Sequence, residues 1–166
     1  MKLSVNIDKF EKLDIKNNEE DILDIKNNEQ DILALIYAAN EVRKNAYCPY
    51  SKFAVGAAIK TSTGEIFTGC NIENSCFSPS ICAERSAIAK AVSAGHREIV
   101  ECAVVAYLPD AYVYPCGVCR QTLAEFTDYK KDCLIFLAKP DSLDGEYLAT
   151  SVSEILPGIG KLKLSN

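Results

Sequence analysis

Three of the eight cysteines stand at helix starts: Cys82, two residues before Glu84 in ICAER, and Cys116 and Cys119, about one helical turn apart in PCGVCR. Each helix follows a strand and a loop, an arrangement in which three thiols and a carboxyl can converge. Eight cysteines in 166 residues make an even set. A chain of this length in a reducing compartment needs no disulfide staples, so metal binding or catalysis is the better reading. Alone, C-x-x-C also fits a pair of buried or redox thiols; the conjunction of the two motifs is what selects a metal. Zinc held by three protein ligands keeps its fourth position for water, the arrangement of a catalytic site. A structural site is closed by a fourth residue, and no further Cys or His is paired with these three at ligand spacing.

Three thiolates around a doubly charged zinc leave one excess negative charge, which opposes the activation of water. The helix N-termini at Cys82 and Cys116 aim partial positive charge and free N–H groups at the sulfurs. Arg85 and Arg120 each directly follow a motif. Arg85 is the residue assigned to neutralise the thiolates, and Arg120 is the weaker candidate. Glu84 lies two positions from Cys82 and off its face of the helix, which suits a carboxylate that reaches water and substrate but not the metal.

The rest of the chain supplies the scaffold. Residues 29–46 carry apolar side chains at helical spacing, with acids in the first turn and Arg43 and Lys44 in the last. FAVGAAIK, the turn TSTG and EIFTGCNI read as a β-hairpin. A helix opening at Ser78-Pro79-Ser80 runs through Ala91 and ends near Gly95. Residues 101–108 form an apolar strand, residues 116–126 a helix, residues 133–138 a second apolar strand and residues 151–156 a short last helix. Helices alternating with buried strands imply an α/β fold, a three-layer αβα sandwich around a mixed sheet of about five strands. Residues 1–28 read as a charged appendage in which LDIKNNEEDIL recurs as LDIKNNEQDIL after ten residues; two copies make no solenoid. Residues 29–166 form the domain.

From Tyr47 to Phe126 the chain resembles the homotetrameric, all-cysteine zinc class of cytidine deaminase. The likeness is carried by YCPYSKFAVGAAIKTSTGEIFTGCNIEN, SICAERSAIAKAVSAG and PCGVCRQTLAEF. It implies one zinc per chain on Cys82, Cys116 and Cys119, Glu84 as proton shuttle, and Asn71 and Glu73 on the sugar hydroxyls. It also implies Phe53 on the pyrimidine and the Ala83 backbone on the base's exocyclic oxygen. The implied reaction is hydrolytic deamination of cytidine and deoxycytidine by a cytoplasmic homotetramer. Asn71 and Glu73 suit that role by themselves, because residues two apart at a strand end face one side and together offer donors and acceptors for vicinal hydroxyls. The family commonly closes its pocket with an aromatic residue near the C-terminus; here Ile159 follows Leu156-Pro157 as an apolar substitute.

Other functions are disfavoured by charge and patterning. A formal net charge of −5 is opposite to that of a chain held on phosphates, which argues against a nucleic-acid polymer. No run of apolar residues is long enough to span a bilayer, and the N-terminus lacks a secretory apolar core. The remaining alternatives are a zinc-stabilised scaffold without catalysis and a deaminase of another cytosine nucleoside, such as an antibiotic. Cys102 and Cys133 lie in apolar strands as small buried hydrophobes. Cys48, Cys70 and Cys76 flank the expected substrate loop and are read as packing residues, with oxidisable or pocket-lining thiols as the alternative, and His96 as a surface or capping group at a helix end.

Overall fold

Period-two alternation in the strands sorts the core onto two faces of one sheet. The computed structural model describes residues 19–128, 130–140 and 145–158. Its elements are α1 (Glu19–Arg43), β1 (Val55–Thr61), β2 (Ile66–Cys70), α2 (Ala83–Ser93), β3 (Ile99–Ala106), α3 (Gly117–Glu125), β4 (Leu134–Ala138), β5 (Tyr147–Ser151) and α4 (Val152–Ile155). The chain divides into two units, residues 1–31 and 32–166, and the second contains the sheet. In the first, the backbone is helical from Glu19 onward; the first copy of the repeat begins outside the described residues, as does Ile159 altogether.

The strands run in the order β2-β1-β3-β4-β5. β3 and β4 are parallel, joined through α3, and the other pairings are antiparallel. The sheet is therefore mixed, as expected. On one face Ala58, Ala103, Val105, Phe136 and Ala138 pack against Ile32, Leu35, Ile36 and Ala39 of α1. On the other, Ile59, Cys102, Val104, Ile135 and Leu137 pack against Ala87, Ile88 and Ala91 of α2 and Leu123 and Ala124 of α3. Adjacent residues of one strand thus serve opposite layers, the consequence of side chains alternating across a pleat. Each fully buried Leu or Ile contributes roughly 1.5–3 kcal/mol, and the αβα sandwich follows.

Two glycines let helices lie directly on strands. A Cβ at Gly56 would run into the carbonyl of Ala39 on α1, and a Cβ at Gly69 would run into the amide of Ala87 and stand 2.6 Å from the carbonyl of Ala83 on α2. The second contact sets how closely the start of α2 approaches β2.

Three boundaries differ from the sequence reading. α2 begins at Ala83 instead of near Pro79, because Ile81 exchanges backbone hydrogen bonds with Ile72 at 2.9 and 3.0 Å and is held extended. α1 reaches back to Glu19, ten residues earlier than the apolar periodicity indicates. The fifth strand, β5, is the short mixed segment YLATS on the sheet edge, largely half-buried and without clear alternation. Among the described residues no helix is long and apolar enough to cross a membrane.

Candidate metal centre and active site

Both cysteine motifs are built the same way. Cys82 and Cys116 are the N-cap residues of α2 and α3, each extended (φ −75°, ψ 157° and φ −68°, ψ 167°) and neither using its side chain to cap. The thiols are thereby free to face the unpaired amides and positive dipole end of their helices. The packing of α2 against α3 brings the two helix starts together. The Sγ atoms of Cys82, Cys116 and Cys119 all lie within 4.8 Å of one another, with Cys82–Cys116 at 3.8 Å and Cys116–Cys119 at 3.5 Å. Tetrahedral zinc with Zn–S bonds of about 2.3 Å separates its sulfurs by about 3.8 Å, so the triad fits that ion. Cys119 is buried, Cys82 half-buried and Cys116 exposed, which opens the cluster to solvent on one side.

The protons of the cluster are unequally shared. A hydrogen bond from Cys119, followed by the Arg85 guanidinium, brings the Cys82 thiol down to about 5 against the opposing effect of burial. Cys119, as donor to Cys82 and itself buried beside negative groups, is pushed up. Arg85 donates Nη2 to the Ser80 carbonyl at 3.2 Å and to Cys82 Sγ at 3.9 Å. Its buried Nε has no hydrogen-bond partner among the described residues. Arg120 turns elsewhere, to the carbonyls of Pro115 and Ile155.

Glu84, in the first turn of α2, is 4% exposed. Burial raises its pKa above the ordinary carboxylate value, with the Cys82 charge acting in the same direction; its own amide, Cys119 and Arg85 oppose them. Ala83, between Cys82 and Glu84, is fully buried.

The remaining site residues are gathered by a short ladder outside the main sheet, in which Tyr47 bridges Ile72 and Ile72 bridges Ile81. It places loop 47–54, segment 71–73 and the Ser80-Ile81-Cys82 approach to α2 side by side. Asn71 straddles Ala54: its Oδ1 accepts from the Val55 amide and its Nδ2 donates to the Phe53 carbonyl, both at 2.8 Å. Glu73 Oε2 accepts from the amides of Tyr50 and Ser51 at 2.9 and 3.2 Å. Its carboxyl is held below the usual range, by a Ser51 side-chain hydrogen bond first and then, against some burial, by those amides. Both residues thus tie down the half-buried Phe53 loop. The two bonds of Asn71 use half of its amide's hydrogen-bonding capacity. Lys52, with φ 58°, makes the left-handed turn just before Phe53.

The other cysteines divide. Cys102 and Cys133 are fully buried and burial pushes both thiols up, Cys133 to about 12. Cys48 and Cys70 are half-buried, whereas Cys76 is exposed on loop 74–80 and is no packing residue. His96 lies at the end of α2, where its amide bonds the Ala91 carbonyl and its ring meets Glu65 at 3.0 Å. The ladder and the Arg120 contacts were not visible in the sequence, since neither carries a period or a motif.

Comparison with known proteins agrees with this geometry. Residues 29–135 match the family model for the cytidine and deoxycytidylate deaminase zinc-binding region. A probable cytidine deaminase of Dictyostelium discoideum is 44% identical over 124 residues, covering 75% of this chain and 80% of that one. A cytidine deaminase of Sporosarcina psychrophila is 46% identical over 124 residues, covering 75% and 87%. The crystal structure of cytidine deaminase from Burkholderia pseudomallei superposes with a TM-score of 0.67 at 39% identity, covering 75% of this chain and 95% of that one. Sequence, fold and the spacing of three sulfurs converge, and the chain belongs to the cytidine deaminase family.

Proposed function

We propose that the protein hydrolyses the exocyclic amine of cytidine and deoxycytidine, giving uridine or deoxyuridine and ammonia, with Cys82, Cys116 and Cys119 holding one zinc per chain. Bound there, zinc acts as a Lewis acid that makes water a nucleophile at neutral pH. Glu84 takes a proton from the attacking water and delivers it to ring N3 while the hydroxyl adds at C4. Glu84 then carries the second proton to the amine, whose bond to C4 breaks, and C4 is left as the carbonyl carbon. A carboxyl whose pKa is raised by burial suits both directions of transfer. Arg85 offsets the excess negative charge of three thiolates, the Ala83 amide reads the base oxygen, Phe53 packs on the pyrimidine, and Asn71 and Glu73 address the sugar. The negative charge of Glu73 disfavours a phosphate at that end of the ligand.

The observation that carries the reading is Glu84, a carboxyl 4% exposed in the first turn of the helix that Cys82 opens. A purely structural zinc site has no use for it. Loss of ultraviolet absorbance of cytidine with purified protein, alongside zinc quantification per chain, is the test. Turnover of cytidine exceeding that of its monophosphate and of a short oligonucleotide is expected. Bound zinc with no cytidine turnover would establish the non-catalytic scaffold instead.

We further assign residues 29–166 as the catalytic domain, with residues 1–28 appended, and the chain as a cytoplasmic homotetramer. Eight free thiols suit a reducing compartment. Apolar side chains left exposed near the site, Tyr47, Tyr50 and Phe77 (83% exposed), suit burial by neighbouring subunits. Mass measurement in solution decides the subunit count.

A further inference from the structure

Arg120 directly follows Cys119, yet its guanidinium is engaged away from the sulfurs. Nε donates to the Pro115 carbonyl at 2.8 Å and Nη1 to the Ile155 carbonyl at 3.0 Å. Pro115 is fully buried and immediately precedes the ligand Cys116. Ile155 is the last residue of α4, where carbonyls lack intrahelical partners. One rigid fork therefore joins the loop that delivers a metal ligand to the last helix of the described chain. A planar guanidinium can hold two carbonyls at a set angle, whereas the point charge of a lysine cannot.

From this geometry we infer that Arg120 is a positioning residue that locks the Pro115-Cys116 loop to α4, so that zinc retention depends on the docking of α4. Of the three sulfurs, that of Cys116 has the most need of such support. Cys116 is exposed, and Arg85 serves Cys82. The far end of the lock is firm: Val152 is fully buried, Ile155 and Leu156 pack on the core that holds Leu123 of α3, and the Leu156 amide closes the turn onto the Val152 carbonyl at 2.9 Å. The inference rests on the zinc reading of the triad.

The test is the rate at which zinc-loaded, full-length protein releases its metal to a chromogenic chelator, below the melting temperature. R120A and R120K should both release zinc about tenfold faster or more, the usual scale for groups that orient metal ligands. R120K keeps charge and stem, and stands in if R120A does not fold. L156P removes the amide that closes α4 and imposes a φ far from the observed −138°. It should also speed release, with no further acceleration when added to R120A, and guanidinium ions should slow release from R120A. Wild-type release by R120K, or rates in the double variant that multiply, would overturn the inference alone. A wild-type protein that takes up no zinc would overturn the metal reading beneath it.

Discussion

The starts of α2 and α3 are twins in backbone and opposites in use. Both are opened by an extended cysteine with its thiol uncapped. Two residues on, α2 buries Glu84 while α3 exposes Val118 to 59%. The arginine after the motif returns to its own sulfur at α2 but reaches α4 from α3. The same local device thus presents a buried carboxyl in one copy and an arginine tie to α4 in the other, and what separates them is the surface each helix meets. α2 lies against β2 with no space for a Cβ at Gly69, whereas a Cβ at Gly117 would meet nothing within 4 Å beyond its chain neighbours and its own helix backbone.

Substitutions in and against the two helix starts should expose this asymmetry. The largest effect is expected at Glu84: the change to Ala should retain zinc while lowering kcat by about 10²–10⁴-fold, the span of general acid–base catalysis. Val118→Ala, its counterpart on α3, should stay within a few-fold of wild type; steady-state kinetics with zinc quantification compares the pair. Next comes backbone contact. Gly69→Ala pushes a methyl group into the α2 backbone and should cost about 3 kcal/mol, the upper end for overpacking, while Gly117→Ala should change urea-unfolding stability by no more than about 1 kcal/mol, on the stabilising side. Equal costs at the two glycines would erase the distinction drawn here.

Arg85→Gln should weaken zinc binding or activity by about 10–100-fold, read by chelator competition and kcat together. If zinc affinity and rate are both untouched, the thiolates are not balanced by this residue.

The smallest effect concerns the support of α4. Asp132 accepts from the Cys133 amide at 2.8 Å and the Ser153 amide at 3.2 Å, and also takes the Ser153 hydroxyl. Burial raises its pKa, but the Ser153 and Ser151 side chains and those two amides outweigh it and leave the carboxyl below its usual value of 3.8. A depressed folded pKa stabilises above the unfolded value and loses that contribution as pH falls through the folded one. Asp132→Asn, which tolerates the φ of 56° found there, should cost about 1–2 kcal/mol at pH 7. Its deficit should shrink below about pH 4, as thermal melts across pH would reveal; a deficit that grows on acidification would contradict the sign.

The parts of the molecule readable from the chain were those whose signal is local. The alternation in β1, β3 and β4, the extended cysteine at each helix start and the glycine turn at Gly95 (φ 98°) all depend on neighbours in sequence. β5 is not legible in the chain because a short edge strand of mixed polarity has a partner but no period of its own. α2 starts later than its Ser-Pro-Ser signal because Ile72, just beyond the end of β2, claims Ile81 first. Asn71 and Glu73 are where the motif put them, yet in the structure their amide and carboxyl bind the Phe53 loop, a relation between residues 18 and more apart that no spacing rule contains.

What the sequence determined by itself was the inventory: three thiols and a carboxyl at helix starts, an alternating pattern for a two-faced sheet, and an acidic surface charge. The triad of thiols and the pairing of Arg85 with them are legible there too; only the tertiary structure decided how closely the sulfurs stand, which carboxyl loses its water and where Arg120 points. Those are properties of distance and desolvation, and both are created when separated segments pack. Glu84 and Glu73 are the same residue in sequence terms, and burial moves the pKa of one up while hydrogen bonds bring the other down.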